Sequence, residues 1–166
     1  MAGKKIRSGA GGTGAACGGR ARPHLADSNG PFACRALTRD PNKDKGQALA
    51  AAGADVVQAD IDDVSSLEKA FAGAYGAYCV TNFWEHFSAE KETAQAKNLA
   101  EAAKAAKLQH VIWSTLEDTR PLMKPDDARM PMVQGKYRVP HFAARAEADA
   151  DCDAPPPAPP LPPSAR

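Results

Sequence analysis

The sequence predicts an α/β fold, a doubly wound parallel sheet of the Rossmann type, on two main observations. Short apolar runs alternate with helical segments through the middle of the chain, from residue 32 to residue 114. A glycine-rich turn at residues 11–14 stands where a first strand should meet a helix. Because right-handed crossovers join strands that alternate with helices, the sheet should be parallel, with helices on both faces and the strand order 3-2-1-4-5.

The predicted elements follow one another along the chain. Apolar runs mark the strands, which we place at residues 4–10, 32–38, 55–59, 77–81 and 110–114. Helical spacing marks the helices, which we place at residues 18–27, 42–52, 65–73 and 88–107. Gly53 should end the helix before it. Ser65 with Glu68 three residues on forms a capping box that should open the next helix.

Both ends of the chain fit this fold poorly. The central strand of a parallel sheet should be almost entirely apolar, yet the first strand holds one large apolar residue, Ile6, followed by Arg7 and Ser8. Residues 154–166 include seven prolines and should be extended and disordered. We therefore predict an incomplete Rossmann-type domain over residues 1–150 and a proline-rich tail over residues 151–166.

Composition excludes several classes of protein. The 166 residues carry 21 basic and 20 acidic side chains, a net charge of +1, without the basic stripe and interleaved aromatics that nucleic acids need. No apolar stretch approaches the ~20 residues that span a bilayer, and no apolar leader follows the first lysines, so we expect a soluble, cytoplasmic protein with no membrane contact. The four cysteines lack metal-binding or C-x-x-C spacing, so we expect reduced thiols and no metal, with Cys34 and Cys79 as small core residues.

A glycine-rich turn followed by an arginine at a strand end indicates a dinucleotide site. Glycines at residues 11–14 would let the backbone approach a pyrophosphate, and the next helix N-terminus would offer unpaired N–H groups. Arg39 ends the second predicted strand, where a guanidinium pairs with the 2′-phosphate of NADP, whereas an acidic residue would bind the free 2′-hydroxyl of NAD. Asp40 follows directly and keeps NAD open as the alternative. The third glycine comes one residue late, at Gly18, which should distort the cradle because one residue turns a helix by about 100°.

Six stretches carry a resemblance to a known family: residues 11–15 (GGTGA), 35–41 (RALTRDP), 53–60 (GADVVQAD), 80–85 (VTNFWE), 110–117 (HVIWSTLE) and 140–142 (PHF). They resemble the NmrA-like family, atypical members of the short-chain dehydrogenase/reductase group. The resemblance implies an NADP-binding Rossmann domain with the glycine loop on the pyrophosphate, Arg39 on the 2′-phosphate, Asp60 on the adenine side, and residues 81–83 beneath the ribose and nicotinamide. Asp60 could instead cap the next helix, and Phe83 could be a packing residue. The cofactor-binding residues so implied are Gly11, Gly12, Thr13, Gly14, Ala15, Ala16, Arg39, Asp60, Thr81, Asn82, Phe83 and Arg145.

The chain departs from its apparent relatives where they would carry catalysis. The wider group uses a Tyr-x-x-x-Lys pair, in which the lysine lowers the pKa of the tyrosine hydroxyl, whereas Tyr137 is followed here by His141. Family members have a lysine shortly after His-Phe, where this chain has Arg145, which can contact a ribose but is a poor proton donor. Ser114 and Thr115 could polarise a substrate or cap a turn. We therefore predict no catalytic residue.

These features predict an NADP(H)-binding NmrA-like protein that acts as a regulatory or redox-sensing module without strong catalysis. One alternative is an NADPH-dependent oxidoreductase of a small carbonyl or quinone, and another is a degenerate fragment that binds no cofactor. Because the chain ends before the strands with which the family continues, the fifth strand should have an unpaired edge that favours self-association. A protein partner is a further expectation, and a nucleic acid partner is not expected.

Overall fold

The computed structural model describes residues 4–10, 30–122, 131–133 and 137–151, without the side chains of residues 150 and 151. These residues form a five-stranded sheet in the order β3-β2-β1-β4-β5, and every neighbouring pair of strands is parallel. The predicted fold and strand order are therefore confirmed. The glycine-rich turn at residues 11–14, the helix expected at 18–27 and the proline-rich tail lie outside the described residues.

The described elements lie close to their predicted places. The strands are β1 (Lys5–Gly9), β2 (Phe32–Thr38), β3 (Asp55–Gln58), β4 (Gly76–Cys79) and β5 (His110–Trp113). The helices are α1 (Asp44–Ala51), α2 (Val64–Phe71), α3 (Ala89–Ala105) and α4 (Pro140–Asp151), with 3₁₀ turns at Phe83–Glu85 and Arg120–Leu122. Thr81 therefore lies beyond β4, in the loop that leads to α3.

Local chemistry sets the helix ends, and it corrects one prediction. Gly53 ends α1 as predicted, because it adopts a φ of 96°, a left-handed conformation that favours glycine. The N-cap of α2 is Asp63, whose carboxylate accepts hydrogen bonds from the backbone N–H groups of Ser65 and Ser66. The predicted capping box of Ser65 and Glu68 is wrong. The helix already begins at Val64, and the backbone N–H of Ser65 donates to the capping carboxylate of Asp63.

Alternation along the strands divides the apolar residues between two faces of the sheet. One face packs against α2 and α3, with Leu37, Cys79, Leu67, Phe71 and Leu99 as its larger members. The other face packs against α1 through Ala36, Leu49 and Ala54, with Cys34 at the margin. Both described cysteines thus pack with apolar residues as predicted, and burial raises the pKa of the Cys34 thiol.

The polar residues of β1 have different surroundings. Ser8 is 2% exposed, and its hydroxyl has no hydrogen-bond partner in the described part of the chain. It pairs with Arg35 on one side and Ala77 on the other, as expected for a central strand. Arg7 is only half-buried, and its guanidinium lies over the ring of Phe32, 3.4 Å from the ring centroid. A central strand is expected to bury both positions. This expectation is correct for Ser8 and wrong for Arg7.

The outer strand β5 is held by one strand and one helix. In the described chain β5 pairs only with β4. Gly76 of β4 lies opposite His110 of β5, and glycine is required at this position because a Cβ would lie 2.3 Å from the carbonyl oxygen of His110. The side chain of Asp149, from α4, accepts hydrogen bonds from Trp113 Nε1 at 2.9 Å and Thr115 Oγ1 at 2.7 Å. These contacts fix α4 beside the carboxyl end of β5.

Candidate functional site

The carboxyl ends of the parallel strands meet at one edge of the sheet, where the predicted site residues follow them. Arg39 follows β2, Asp60 follows β3, residues 81–83 follow β4, and residues 114–115 follow β5. The strand order reverses direction between β1 and β4, and in open α/β sheets the ligand crevice lies at this switch point. The predicted residues from Gly11 to Ala16 follow β1 but lie outside the described residues.

Arg39 lies exposed at the edge and contacts an acidic residue from the other side of β1. Its Nη2 atom is 3.3 Å from each carboxylate oxygen of Glu85, and the two side chains are 67% and 53% exposed. The backbone carbonyl of Arg39 accepts a hydrogen bond from Gln58 Nε2 at 3.1 Å, which fixes the main chain. The neighbouring Asp40 uses one carboxylate oxygen to accept from Asn42 N–H in the turn before α1.

Asp60 shapes the turn before α2. Its Oδ1 accepts from the backbone N–H of Asp62 at 3.0 Å, and its own N–H donates to Ser66 Oγ at 2.9 Å. The alternative interpretation, in which Asp60 caps α2, is wrong because Asp63 is the N-cap of that helix. The side chain is half-buried at the same edge as Arg39.

Thr81 and Arg145 are brought together by a carboxylate that the sequence did not single out. Glu92 is fully buried in the first turn of α3, and its Oε1 accepts from Thr81 Oγ1 and from Arg145 Nε, the latter at 2.9 Å. Arg145 also donates to the backbone carbonyl of Thr81 at 2.8 Å. The guanidinium is 15% exposed, so this is a largely buried charge pair that joins α3, α4 and the loop after β4.

His86 completes this buried cluster from the other side of Glu92. Its Nδ1 accepts from the backbone N–H of Ser88, so a neutral ring carries its proton on Nε2. That Nε2 atom is 3.3 Å from Glu92 Oε2, yet neither atom has a hydrogen bond of good geometry among the described residues. The pair is close enough for electrostatic attraction and is not aligned for a hydrogen bond.

Aromatic rings cover this cluster. Phe83 is buried, and its ring lies between 5.5 and 5.9 Å from those of Trp84, His86, Phe87 and His141. Trp84 and Phe87 are 62% and 61% exposed, and Phe87 has a left-handed φ of 53°, a conformation rare for a bulky residue. Asn82, just before them, is exposed and makes no side-chain capping bond.

His141 lies where charge opposes its protonation. Burial lowers the pKa of the imidazole, and the nearby positive charge of Arg145 lowers it further, while Glu92 acts in the opposite direction. The neutral ring is therefore favoured, which suits its contacts with the rings of Trp84 and Phe142, whose centroids lie 5.2 and 4.9 Å from its own in tilted and edge-to-face arrangements.

The residues considered as proton donors or substrate polarisers are largely committed elsewhere. The hydroxyl of Tyr137, which is 3% exposed, donates to Glu147 at 2.8 Å. The hydroxyl of Thr115 donates to Asp149. Ser114 lies half-buried at the carboxyl end of β5, and its backbone N–H donates to the carbonyl of Cys79.

One feature of the sequence indicates the buried charge. The buried positions of α3 recur every three or four residues, at Ala89, Glu92, Ala96, Leu99 and Ala103. A glutamate within an apolar stripe needs a partner in the fold, so Glu92 could have been recognised. The pairing of Arg39 with Glu85 had no such indication, because it joins residues 46 apart in the sequence.

Among the described residues, no group of three or more His, Cys, Asp or Glu side chains could hold a metal ion. None of the described helices has the length and apolar character needed to cross a membrane.

Comparisons with known proteins relate this chain to one family. The model of the NmrA-like family matches residues 10–149. An Aspergillus flavus protein named NmrA-like family domain-containing oxidoreductase lnbB is 32% identical over 143 residues, which cover 80% of this chain and 43% of that protein. The similar protein malD of Malbranchea aurantiaca is 33% identical over 117 residues, 68% of this chain and 35% of that protein. The chain thus spans less than half the length of these relatives.

Solved structures share the fold. The triphenylmethane reductase of Citrobacter sp., complexed with NADP(H), has a TM-score of 0.67 at 20% identity, over 90% of this chain and 45% of that one. NmrA, a negative transcriptional regulator, has a TM-score of 0.65 in complex with NADP, at 23% identity over 92% of this chain and 43% of its own. In complex with NAD, NmrA has a TM-score of 0.69 at 24% identity, over 90% of this chain and 41% of its own.

Proposed function

The chain belongs to the NmrA-like family, and from this we propose that it binds NADP(H) at the carboxyl edge of its sheet as a regulatory or redox-sensing module without strong catalysis. The relatives with this fold include NmrA itself, a regulator that has been crystallised with NADP and with NAD. When bound, a nicotinamide cofactor supplies a hydride donor or acceptor.

One observation carries the proposal: Arg39, Asn82 and Asp60 all lie at the carboxyl edge around the switch point between β1 and β4. An exposed guanidinium at the end of β2 fits a phosphate on the adenosine ribose. The exposed Asn82 amide can donate and accept at the ribose or nicotinamide, and the half-buried carboxylate of Asp60 can accept from the adenine side. The glycine-rich turn after β1 would hold the pyrophosphate.

Arg145 has an indirect part in this proposal. Its guanidinium is bound to Glu92 and to the carbonyl of Thr81, so it fixes the backbone of the loop after β4. Phe83, buried beneath the exposed aromatic residues, gives the same loop an apolar support. We propose that residues 1–150 act together as the cofactor-binding domain and that residues 151–166 take no part in it.

A regulatory role is favoured over catalysis because two of the hydroxyls that could donate a proton are engaged elsewhere. Tyr137 is buried and bonded to Glu147, and Thr115 is bonded to Asp149. Since general acid–base catalysis contributes typically 10²–10⁴-fold, we expect turnover with carbonyl or quinone substrates to be very slow.

The direct test is a titration of the chain with NADPH and NADH. Charge-assisted hydrogen bonds to a phosphate contribute roughly 1.5–3 kcal/mol, so NADPH should bind about ten- to a hundredfold more tightly than NADH. Arg39→Ala should remove this preference, whereas Lys97→Ala, which removes an exposed charge from α3, should not. Equal affinities in the unaltered chain contradict the NADP assignment, and absence of binding supports the alternative of a fragment that binds no cofactor.

An oxidoreductase acting on a small carbonyl or quinone is the second candidate. It is favoured by the relatives named oxidoreductases and by the reductase structure complexed with NADP(H). Ser114 is the hydroxyl at the edge that would polarise a substrate. NADPH oxidation that depends on substrate and disappears in Ser114→Ala would establish this function in place of the regulatory one.

A further inference from the structure

We infer that Glu85 is a specificity-determining residue, which holds Arg39 across the cofactor crevice until the 2′-phosphate of NADP(H) displaces it. This inference rests on the proposed function, because it concerns the same crevice. It adds a residue that neither the glycine-rich turn nor the strand-end arginine indicates.

The position of the ion pair supports this role. Arg39 follows β2 and Glu85 lies in the 3₁₀ turn after β4, while β1 lies between these two strands in the sheet. The contact therefore passes over the carboxyl end of β1, beside the switch point where a dinucleotide would enter. A ligand phosphate that reaches Arg39 meets the Glu85 carboxylate at the same guanidinium.

The geometry shows that the pair can open at little cost. A single guanidinium nitrogen lies 3.3 Å from both carboxylate oxygens, whereas strong charged N–H···O contacts are about 2.7–2.9 Å long and often use two nitrogens. Both side chains are more than half exposed, so water screens their attraction. A phosphate that carries more than one negative charge and accepts two parallel N–H bonds should replace the carboxylate.

Glu85 then has opposite consequences for the two cofactors. With NADP(H), the carboxylate competes for Arg39 in the free protein and repels the phosphate in the complex. With NAD(H), no phosphate displaces it, and a carboxylate can accept from the free 2′-hydroxyl. Glu85 should therefore reduce the preference for NADP(H) that Arg39 creates.

The experiment measures NADPH and NADH affinities by calorimetry for the whole chain, with the variants Glu85→Gln, Arg39→Ala and their combination. Glu101→Gln is the matched control, because Glu101 is an exposed glutamate on α3 and the variant makes the same charge change. Glu85→Gln should tighten NADPH binding about two- to fivefold without tightening NADH binding. The gain should shrink as salt is raised from 0.05 to 0.5 M, since screening weakens exposed pairs.

The outcomes distinguish a failure of this inference alone from a failure of the proposed function on which it rests. If the unaltered chain binds NADPH and Glu85→Gln leaves the affinity unchanged or weakens it, the role of Glu85 is refuted and the cofactor assignment stands. If Glu85→Gln gives the full gain in the Arg39→Ala background as well, the carboxylate does not act through Arg39 and the inference is wrong. If no variant binds either nucleotide, both proposals fail together.

Discussion

Replacing Glu92 by glutamine tests whether the buried charge cluster holds the edge of the sheet together. Glu92 is fully buried and accepts from Thr81 and from Arg145, which is itself 15% exposed. Glutamine keeps the shape and can still accept the Thr81 hydroxyl, but it removes the negative charge. The guanidinium of Arg145 is then left nearly buried with neutral acceptors alone among these groups, the new amide oxygen and the carbonyl of Thr81.

The expected cost follows from that unpaired cation. Removing one partner of a buried ion pair costs about 3–5 kcal/mol, and the slight exposure of Arg145 places this case near 3 kcal/mol. Since a typical domain is stable by ~5–15 kcal/mol, this is a large fraction of the total. For a chain of this size, the melting temperature should fall by about 6–12 °C. Urea unfolding of both proteins, followed by circular dichroism, measures the free energy directly.

The double variant Glu92→Gln/Arg145→Gln distinguishes charge pairing from simple packing. It removes both charges. Its loss of unfolding free energy should therefore be smaller, by at least about 1 kcal/mol, than the sum of the losses in Glu92→Gln and Arg145→Gln. A Glu92→Gln variant within 1 kcal/mol of the unaltered chain, or strictly additive effects, would refute the reasoning. Glu101→Gln, an exposed change on the same helix, should lie within about 0.5 kcal/mol of the unaltered chain.

Two further predictions concern the strand β1 and the aromatic cluster. Ser8→Ala should stabilise the chain by about 1–2 kcal/mol, because it removes a buried hydroxyl that has no partner among the described residues. Ser66→Ala should destabilise it, because the Ser66 hydroxyl accepts from the backbone N–H of Asp60 and lies within hydrogen-bond distance of the backbone carbonyls of Asp60 and Asp63. Thermal melts of both variants test this, and a loss of stability in Ser8→Ala contradicts it. The pKa of His141, followed by NMR of its ring protons, should lie below the ordinary 6.5, since burial and Arg145 disfavour the charged ring. The unfolded chain then binds the proton more readily than the folded chain, so His141 should lower the free energy of unfolding as the pH falls below about 6.5. A raised pKa would show that the attraction of Glu92 outweighs burial and the repulsion of Arg145.

The strands and their order could be predicted because local patterns determine them. Apolar runs such as Phe32–Thr38 are separated by helical segments, and right-handed crossovers leave few arrangements of five parallel strands. The cap of α2 could not be chosen in this way. Asp60, Asp62, Asp63 and Ser65 are all suitable N-cap residues, and backbone conformation decides among them, with Asp63 extended at a φ of −122°.

The site was only partly predictable, for a different reason. Strand ends locate Arg39, Asp60 and Thr81 at one edge, since every parallel strand ends on the same side. The contacts of these residues come from remote parts of the chain: Arg145 meets Glu92 53 positions away. Local periodicity cannot give such pairings, although a charged residue in the apolar stripe of α3 indicates that one is needed.

The hydrogen bonds of Asp149 have a consequence for how the chain opens. One carboxylate on α4 satisfies both the indole of Trp113 and the hydroxyl of Thr115, at the carboxyl end of a strand that pairs with β4 alone in the described chain. If α4 leaves, two donors lose their acceptor at the margin of the sheet, and the loop after β4 loses Arg145 at the same moment. Fraying of the outer strand and release of the last described helix should therefore be one cooperative event, so that local opening there also loosens the backbone of Thr81.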